Sequence, residues 1–182
     1  MEKTIETLKN GGIILYPTDT IWGLGCDATN DEACQKLMDL KNRGAEKSFI
    51  VLVDSVKMLE QYTVEFPPVC YELIDFATRP LTIIYPLVRN LSNHVKAADG
   101  SVGIRVMNDP ICRKLIQQLK RPIVSTSANF SGEKSPTCFN DISETLKSKV
   151  DGIVMERLKD VCTTPSQVIK IGLDSTVQII RK

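Results

Sequence analysis

Apolar residues recur along the chain in two alternating rhythms. The opening "MEKTIETLKNGG" spaces them as a helix does and predicts an end near Gly11, after which Ile13 to Tyr16 reads as a buried strand. A second helix, capped by Asn30 or Asp31, carries Ala33, Leu37 and Leu40 on one face. Short apolar runs predict further strands at "FIVLV" from Phe49, "LTIIY" from Leu81, "VGIRV" from Val102 and "IVSTS" from Ile123. Three more follow late in the chain: "GIVM" from Gly152, "QVIKI" from Gln167 and "TVQII" from Thr176. The cleanest helix is "DPICRKLIQQL", with Asp109 as N-cap, Pro110 at the first helical position, and Ile111, Leu115 and Leu119 in register.

Eight short strands and about five helices predict one α/β domain over residues 1–182. The closing strands have no helices between them, which favours a mixed sheet over a parallel one. Pro67-Pro68 and "SGEKSPTCFND" are the strongest loop signals, and neither reads as a domain linker. Ile13 to Tyr16 and Ile123 to Ser125 both run from apolar residues into small polar ones. Both are therefore expected to be central strands whose carboxyl ends open into one cavity.

Composition narrows the class of partner. Of the residues, 42% are hydrophobic, and 23 Lys plus Arg against 22 Asp plus Glu leave a net charge of +1, so no long-range field recruits a polyanion. Any basic site must be local. Cysteines at 26, 34, 70, 112, 138 and 162 are scattered without a C-x-x-C, which fits free thiols in a reducing cytoplasm better than a disulfide frame or a zinc site. No apolar run approaches the ~18 residues of a membrane span, so a soluble, unexported, cytoplasmic protein is expected.

"YPTDTIWGLG" places Thr18, Asp19 and Thr20 directly after a buried strand. The "GLGCDA" that follows imitates a dinucleotide-binding turn, but Gly23 lies six residues beyond Pro17 and the next helix starts no earlier than about Asn30. These glycines therefore do not set a helix N-terminus on a pyrophosphate. Two other segments could hold phosphates. "KNRGAEK" gathers Lys41, Arg43 and Lys47 near a helix end, where they either complement the helix dipole or clamp phosphate. "STSANFSGEKSPT" sets hydroxyls and an amide after a buried strand, as a solvated loop or as an anion cradle. His94, the single histidine, lies in a polar segment and reads as a loop residue, so catalysis through a Ser-His or Cys-His pair is disfavoured. Trp22 is expected to pack in the core.

Taken together and in order, "YPTDTIWGLG", the K-x-R at Lys41 and Arg43 followed by Lys47, "PLT" from Pro80, "VGIRV", "STSANFSG" leading into "SPT", and Pro-Ser before "QVI" resemble the Sua5/YciO/YrdC family from about Gly12 to Arg181. The resemblance implies a YrdC-like fold, a twisted mixed sheet flanked by helices around a deep basic cavity for ATP, L-threonine and bicarbonate. It implies that threonine's amine joins bicarbonate as a carbamate, which takes AMP from ATP and releases pyrophosphate. Mg2+ would accompany ATP, largely keeping its waters. A downstream threonylcarbamoyl transferase complex would use the product for t6A modification of tRNA.

Position by position, the resemblance implies a tetrad of Lys41, Arg43, Ser127 and Asn129. It implies ATP contacts from Arg43, Lys47, Ser101, Asn129, Thr137 and Arg181. It implies threonine contacts from Thr20, Arg105, Ser127 and Ser166, and no metal ligands of the protein's own. Arg105 suits an amino-acid carboxylate because a guanidinium can pair with it through two N–H groups. Gly44, Ser48, Phe49, Arg79, Gln167 and Leu52 depart from the family pattern, the last standing where some members have a histidine near threonine. Two alternatives are a YciO-type paralogue without this activity and an RNA-binding module. The second is opposed by near-neutral charge and 5% aromatic content.

Overall fold

The computed structural model describes residues 1–42 and 48–182. Chain order begins α1 (Glu2–Lys9), β1 (Ile14–Tyr16), β2 (Gly23–Gly25), α2 (Asp31–Lys41), β3 (Ile50–Val53), α3 (Val56–Tyr62) and α4 (Val69–Asp75). It continues with β4 (Leu81–Tyr85), β5 (Val102–Val106), α5 (Pro110–Leu119), β6 (Ile123–Ser127), α6 (Glu144–Lys147), β7 (Gly152–Ile153), β8 (Gln167–Ile171) and β9 (Val177–Arg181). The strands form one mixed sheet in the order β7-β1-β2-β6-β3-β5-β4-β8-β9.

Helix ends follow local chemistry. Asn30, the first of the two expected caps, accepts the Ala33 amide at 3.0 Å, and Asp109 accepts the amides of Ile111 and Cys112 at 3.0 Å each with Pro110 beginning the helix. Helices α1 and α5 bury Ile5, Leu8, Leu115 and Ile116 on one face of the sheet, against Ile14, Tyr16, Leu52 and Ile123. A larger cluster on the other face joins Leu37, Leu59 and Cys70 to Leu15, Leu24, Val51, Ile83 and Ile104. Trp22 is buried there and packs on Phe139 with ring centroids 5.0 Å apart, as expected for a core residue.

Two expectations need correction. The sheet has nine strands among the described residues, because "GLG" is itself strand β2, pairing with β1 on one side and β6 on the other. In addition β6 is interior, but β1 sits one place from the edge, beside the two-residue β7. The carboxyl ends of β1 and β6 nevertheless point the same way, since each runs antiparallel to β2.

The glycines of β2 have a packing reason. The Tyr16 ring crosses them, its hydroxyl donating to the Val124 carbonyl at 3.2 Å. A Cβ on Gly25 would stand 2.2 Å from that carbonyl oxygen and 2.8 Å from the ring. Gly25→Ala should therefore force β2 and β6 apart and cost about 3 kcal/mol, or roughly 6 to 12 °C in melting temperature. Gly152→Ala, whose new Cβ meets nothing closer than 3.5 Å, should stay within about 0.5 kcal/mol of the parent. Thermal melts of the two variants side by side check this, and equal midpoints would contradict the seam.

All six cysteines are free; Cys26, Cys34, Cys70 and Cys112 are buried, while Cys138 and Cys162 are partly exposed. A thiol reagent should label only the latter pair rapidly in the native protein and all six after denaturation. Rapid native labelling of more than two would contradict the packing.

Candidate active site

The loop joining β1 to β2 answers why polar residues follow a buried strand. The Thr18 hydroxyl donates to the Ile21 carbonyl at 2.7 Å and accepts the amides of Thr20 at 3.0 Å and Ile21 at 3.2 Å, closing a tight turn. Its one proton is thereby used, so in the 2.9 Å contact between the two hydroxyls Thr20 is the donor. Thr20 in turn accepts from Arg105 Nη1 at 3.3 Å. Thr18 shapes the loop; Thr20 and Asp19 meet the guanidinium.

Arg105 comes from the middle of β5 and is only 4% exposed. Its Nη2 donates to the Asp19 carboxylate, Nη1 to Thr20, and the buried Nε has no partner among the described residues. Burial pulls the guanidinium below its ordinary pKa.

Strand register sets the company Arg105 keeps. Leu52 pairs with both Arg105 and Ile123, so these three side chains share a face, and alternation adds Gly103 on β5, Ser101 just ahead of that strand, and Ser125 and Ser127 on β6. The β4–β5 pairing continues this face to Thr82, whose hydroxyl shares a 2.9 Å hydrogen bond with Ser166. Arg181, opposite Val168 on β9, donates through Nε to the Ser166 carbonyl at 2.9 Å and through Nη2 to the Ser166 hydroxyl at 3.3 Å. Helices cover this face over β1 and β3, where Leu52 packs, but over β4 and β8 it presents hydroxyls and guanidinium groups.

A second node lies where β6 ends. Lys41, the last residue of α2 and only 2% exposed, donates through Nζ to the Ser127 carbonyl at 2.7 Å, to the Asn129 carbonyl, and to Asn129 Oδ1 at 3.2 Å. The chain turns tightly here, with the Ala128 amide bonded to the Trp22 carbonyl at 2.9 Å. The structure thus brings Lys41, Ser127 and Asn129 together, with the ammonium acting as a strut.

The remaining expected residues divide. Ser101 is buried and gives its hydroxyl to Asp99 at 2.5 Å; that bond and then the Lys170 ammonium hold the Asp99 carboxyl well below its usual range. Thr137 is exposed and its hydroxyl goes to Asp141 at 2.6 Å. Arg43 and Lys47 lie outside the described residues, as does Gly44. Thr82 enters the sequence reading only as the last residue of the "PLT" motif and receives no role there, because it looks like one more β-branched strand residue. A groove of about 540 Å3 opens beside β4 and β5, with Leu81, Ile83 and Ile104 on its floor and Arg79 on its wall. That floor is the face opposite Arg105, and among the described residues Asp19 alone lines the groove and also accepts a hydrogen bond from Arg105.

A family model covering Sua5, YciO and YrdC proteins, described as "Telomere recombination", matches residues 6–182. The chain belongs to the Sua5/YciO/YrdC family. A relative named threonylcarbamoyl-AMP synthase, from Psychromonas ingrahamii, is 31% identical over 173 residues, covering 92% of this chain and 90% of its own. P. abyssi Sua5, solved in complex with L-threonine, superposes with a TM-score of 0.83 at 28% identity over 92% of this chain. The chain spans about half the length of that protein, 49%. E. coli YciO shares the fold, with a TM-score of 0.85 at 24% identity, 98% of this chain and 86% of its own being covered.

Within this Sua5/YciO/YrdC fold, two departures from the family pattern have visible settings. Leu52 lies beside Arg105 on the sheet and is buried with α5, so a histidine at that place would stand next to the guanidinium. Gln167 opens β8 opposite Leu81. Lys41→Met should strand the Asn129 carbonyl, leave the Ser127 carbonyl with only the Asn129 amide, and cost about 1 to 3 kcal/mol, with faster amide hydrogen exchange confined to residues near 127–131. Unchanged exchange there would remove the strut.

Proposed function

We propose that the chain is an L-threonylcarbamoyladenylate synthase, a nucleotidyltransferase acting on L-threonine, bicarbonate and Mg2+-bound ATP. The observation that carries the reading is the buried Arg105, which sits beside Thr20 with an unsatisfied Nε donor in a family whose P. abyssi member was solved with L-threonine. The named synthase relative, matched over nine-tenths of its own length, supports it.

Arg105 takes the amino-acid carboxylate, and the hydroxyls of Thr20, Ser127 and Ser166 read the rest of the substrate. The threonine ammonium first gives a proton to solvent; the free amine then attacks the bicarbonate carbon, water leaves, and a carbamate forms. A carbamate oxygen then attacks the α-phosphorus and pyrophosphate departs. The attacking group is already anionic, so the step needs charge relief and alignment more than a general base. Arg43, Lys47 and Arg181 supply positive charge around the triphosphate, with Ser101, Thr137 and Asn129 as polar contacts, while Lys41 fixes the turn that presents Ser127 and Asn129. The product serves a threonylcarbamoyl transferase complex that modifies tRNA.

Pyrophosphate release from a mixture of ATP, bicarbonate and L-threonine, with each omitted in turn, tests the reading. Release should need all three. Release indifferent to threonine or bicarbonate would point instead to a paralogue with another reaction. Arg43→Ala should lower turnover per folded molecule on the order of a hundredfold, with Lys rescuing only in part, because a point charge does not reproduce a two-pronged contact.

A further inference from the structure

We infer that Asp19 is a displaceable counter-ion that makes this site select zwitterionic α-amino acids over plain carboxylates. The inference rests on Arg105 being the carboxylate-binding group of the proposed synthase. Asp19 occupies Nη2 of Arg105, the arm that neighbours the Nε left without a partner among the described residues. A carboxylate pairing side-on with a guanidinium needs Nε and one Nη together. An incoming carboxylate that takes this edge therefore meets the Asp19 carboxylate at the same nitrogen, and the two anions compete for it.

The two partners are built unequally for such an exchange. The Arg105 side chain is 5% exposed and fixed in a strand, whereas Asp19 is 29% exposed and lies on the loop between β1 and β2. Asp19 makes no other side-chain hydrogen bond among the described residues, so its carboxylate rotates away without leaving another group unpaired. The loop beneath it stays in place because Thr18 holds the turn through its own hydroxyl.

Asp19 has a function in both states. Without substrate it neutralises a buried cation that would otherwise be costly. When an α-amino acid binds, the ammonium lies one carbon from the carboxylate and thus next to the displaced Asp19, which exchanges one cationic partner for another. A carboxylic acid lacking the ammonium evicts Asp19 and offers it nothing. Selectivity for the zwitterion follows from charge conservation in a partly dehydrated site.

Calorimetric titration of the whole protein with L-threonine and with 2,3-dihydroxybutanoate, the same skeleton with a hydroxyl replacing the ammonium, tests this. The parent should favour threonine by about tenfold or more. Asp19→Asn should weaken threonine, tighten the dihydroxy acid, and shrink the preference to about threefold or less. Asp19→Ser should do the same and serves if the Asn variant does not fold. Equal affinities for the two ligands in the parent, or a variant that weakens both by one common factor, would overturn the inference, the second outcome meaning that Asp19 merely aligns Arg105. Failure of the parent to bind threonine or to release pyrophosphate with it would instead sink the synthase reading beneath it. Retained threonine-dependent release with an unchanged preference would sink Asp19 alone.

Discussion

A guanidinium buried in the middle of a strand is the constraint around which the site is arranged. Arg105 lies where solvent cannot hydrate it, so fixed oxygen atoms and a counter-charge must come from elsewhere in the chain. The loop after β1 supplies both, Thr20 as the oxygen and Asp19 as the charge. That loop in turn holds its shape through Thr18, and the polar run after a buried strand is the local consequence of a cation placed far away in sequence.

The sheet makes this meeting possible. Tyr16 lies across β2 only because Gly23 and Gly25 leave room, and the tight β1–β2–β6 seam delivers the loop and the Ser127 turn to the same end of the sheet. Lys41 then ties the end of α2 to that turn through backbone carbonyls. A residue expected as a catalytic cation has a structural duty as well: its ammonium joins the Asn129 amide on the Ser127 carbonyl and supplies the donor to the Asn129 carbonyl.

Features written in adjacent residues were legible from the sequence; features created by register were not. Asp109, Pro110 and the apolar stripe of α5 carry their instructions locally, and so do the cap at Asn30 and the mixed character of the sheet. The strand at Gly23–Gly25 was missed because glycines ordinarily mark turns, and the reason for these two is a ring from another strand. The neighbourhood of Arg105, Thr82, Ser166 and Arg181 depends on how β4, β5, β8 and β9 pair, which no short motif encodes. Ordered motifs pointed to the right family and to Thr20, yet they did not show that Thr18 builds the loop. Nor did they show that Thr137 is engaged by Asp141.

The central claim is that Arg105 reads the carboxylate of threonine. Steady-state pyrophosphate release by Arg105→Lys, with threonine and ATP varied separately, tests it most directly. Lysine keeps the charge but loses the two-pronged geometry, so KM for threonine should rise at least about tenfold while KM for ATP stays within about twofold of the parent. An unchanged threonine KM, or an equal rise in both, would contradict the assignment.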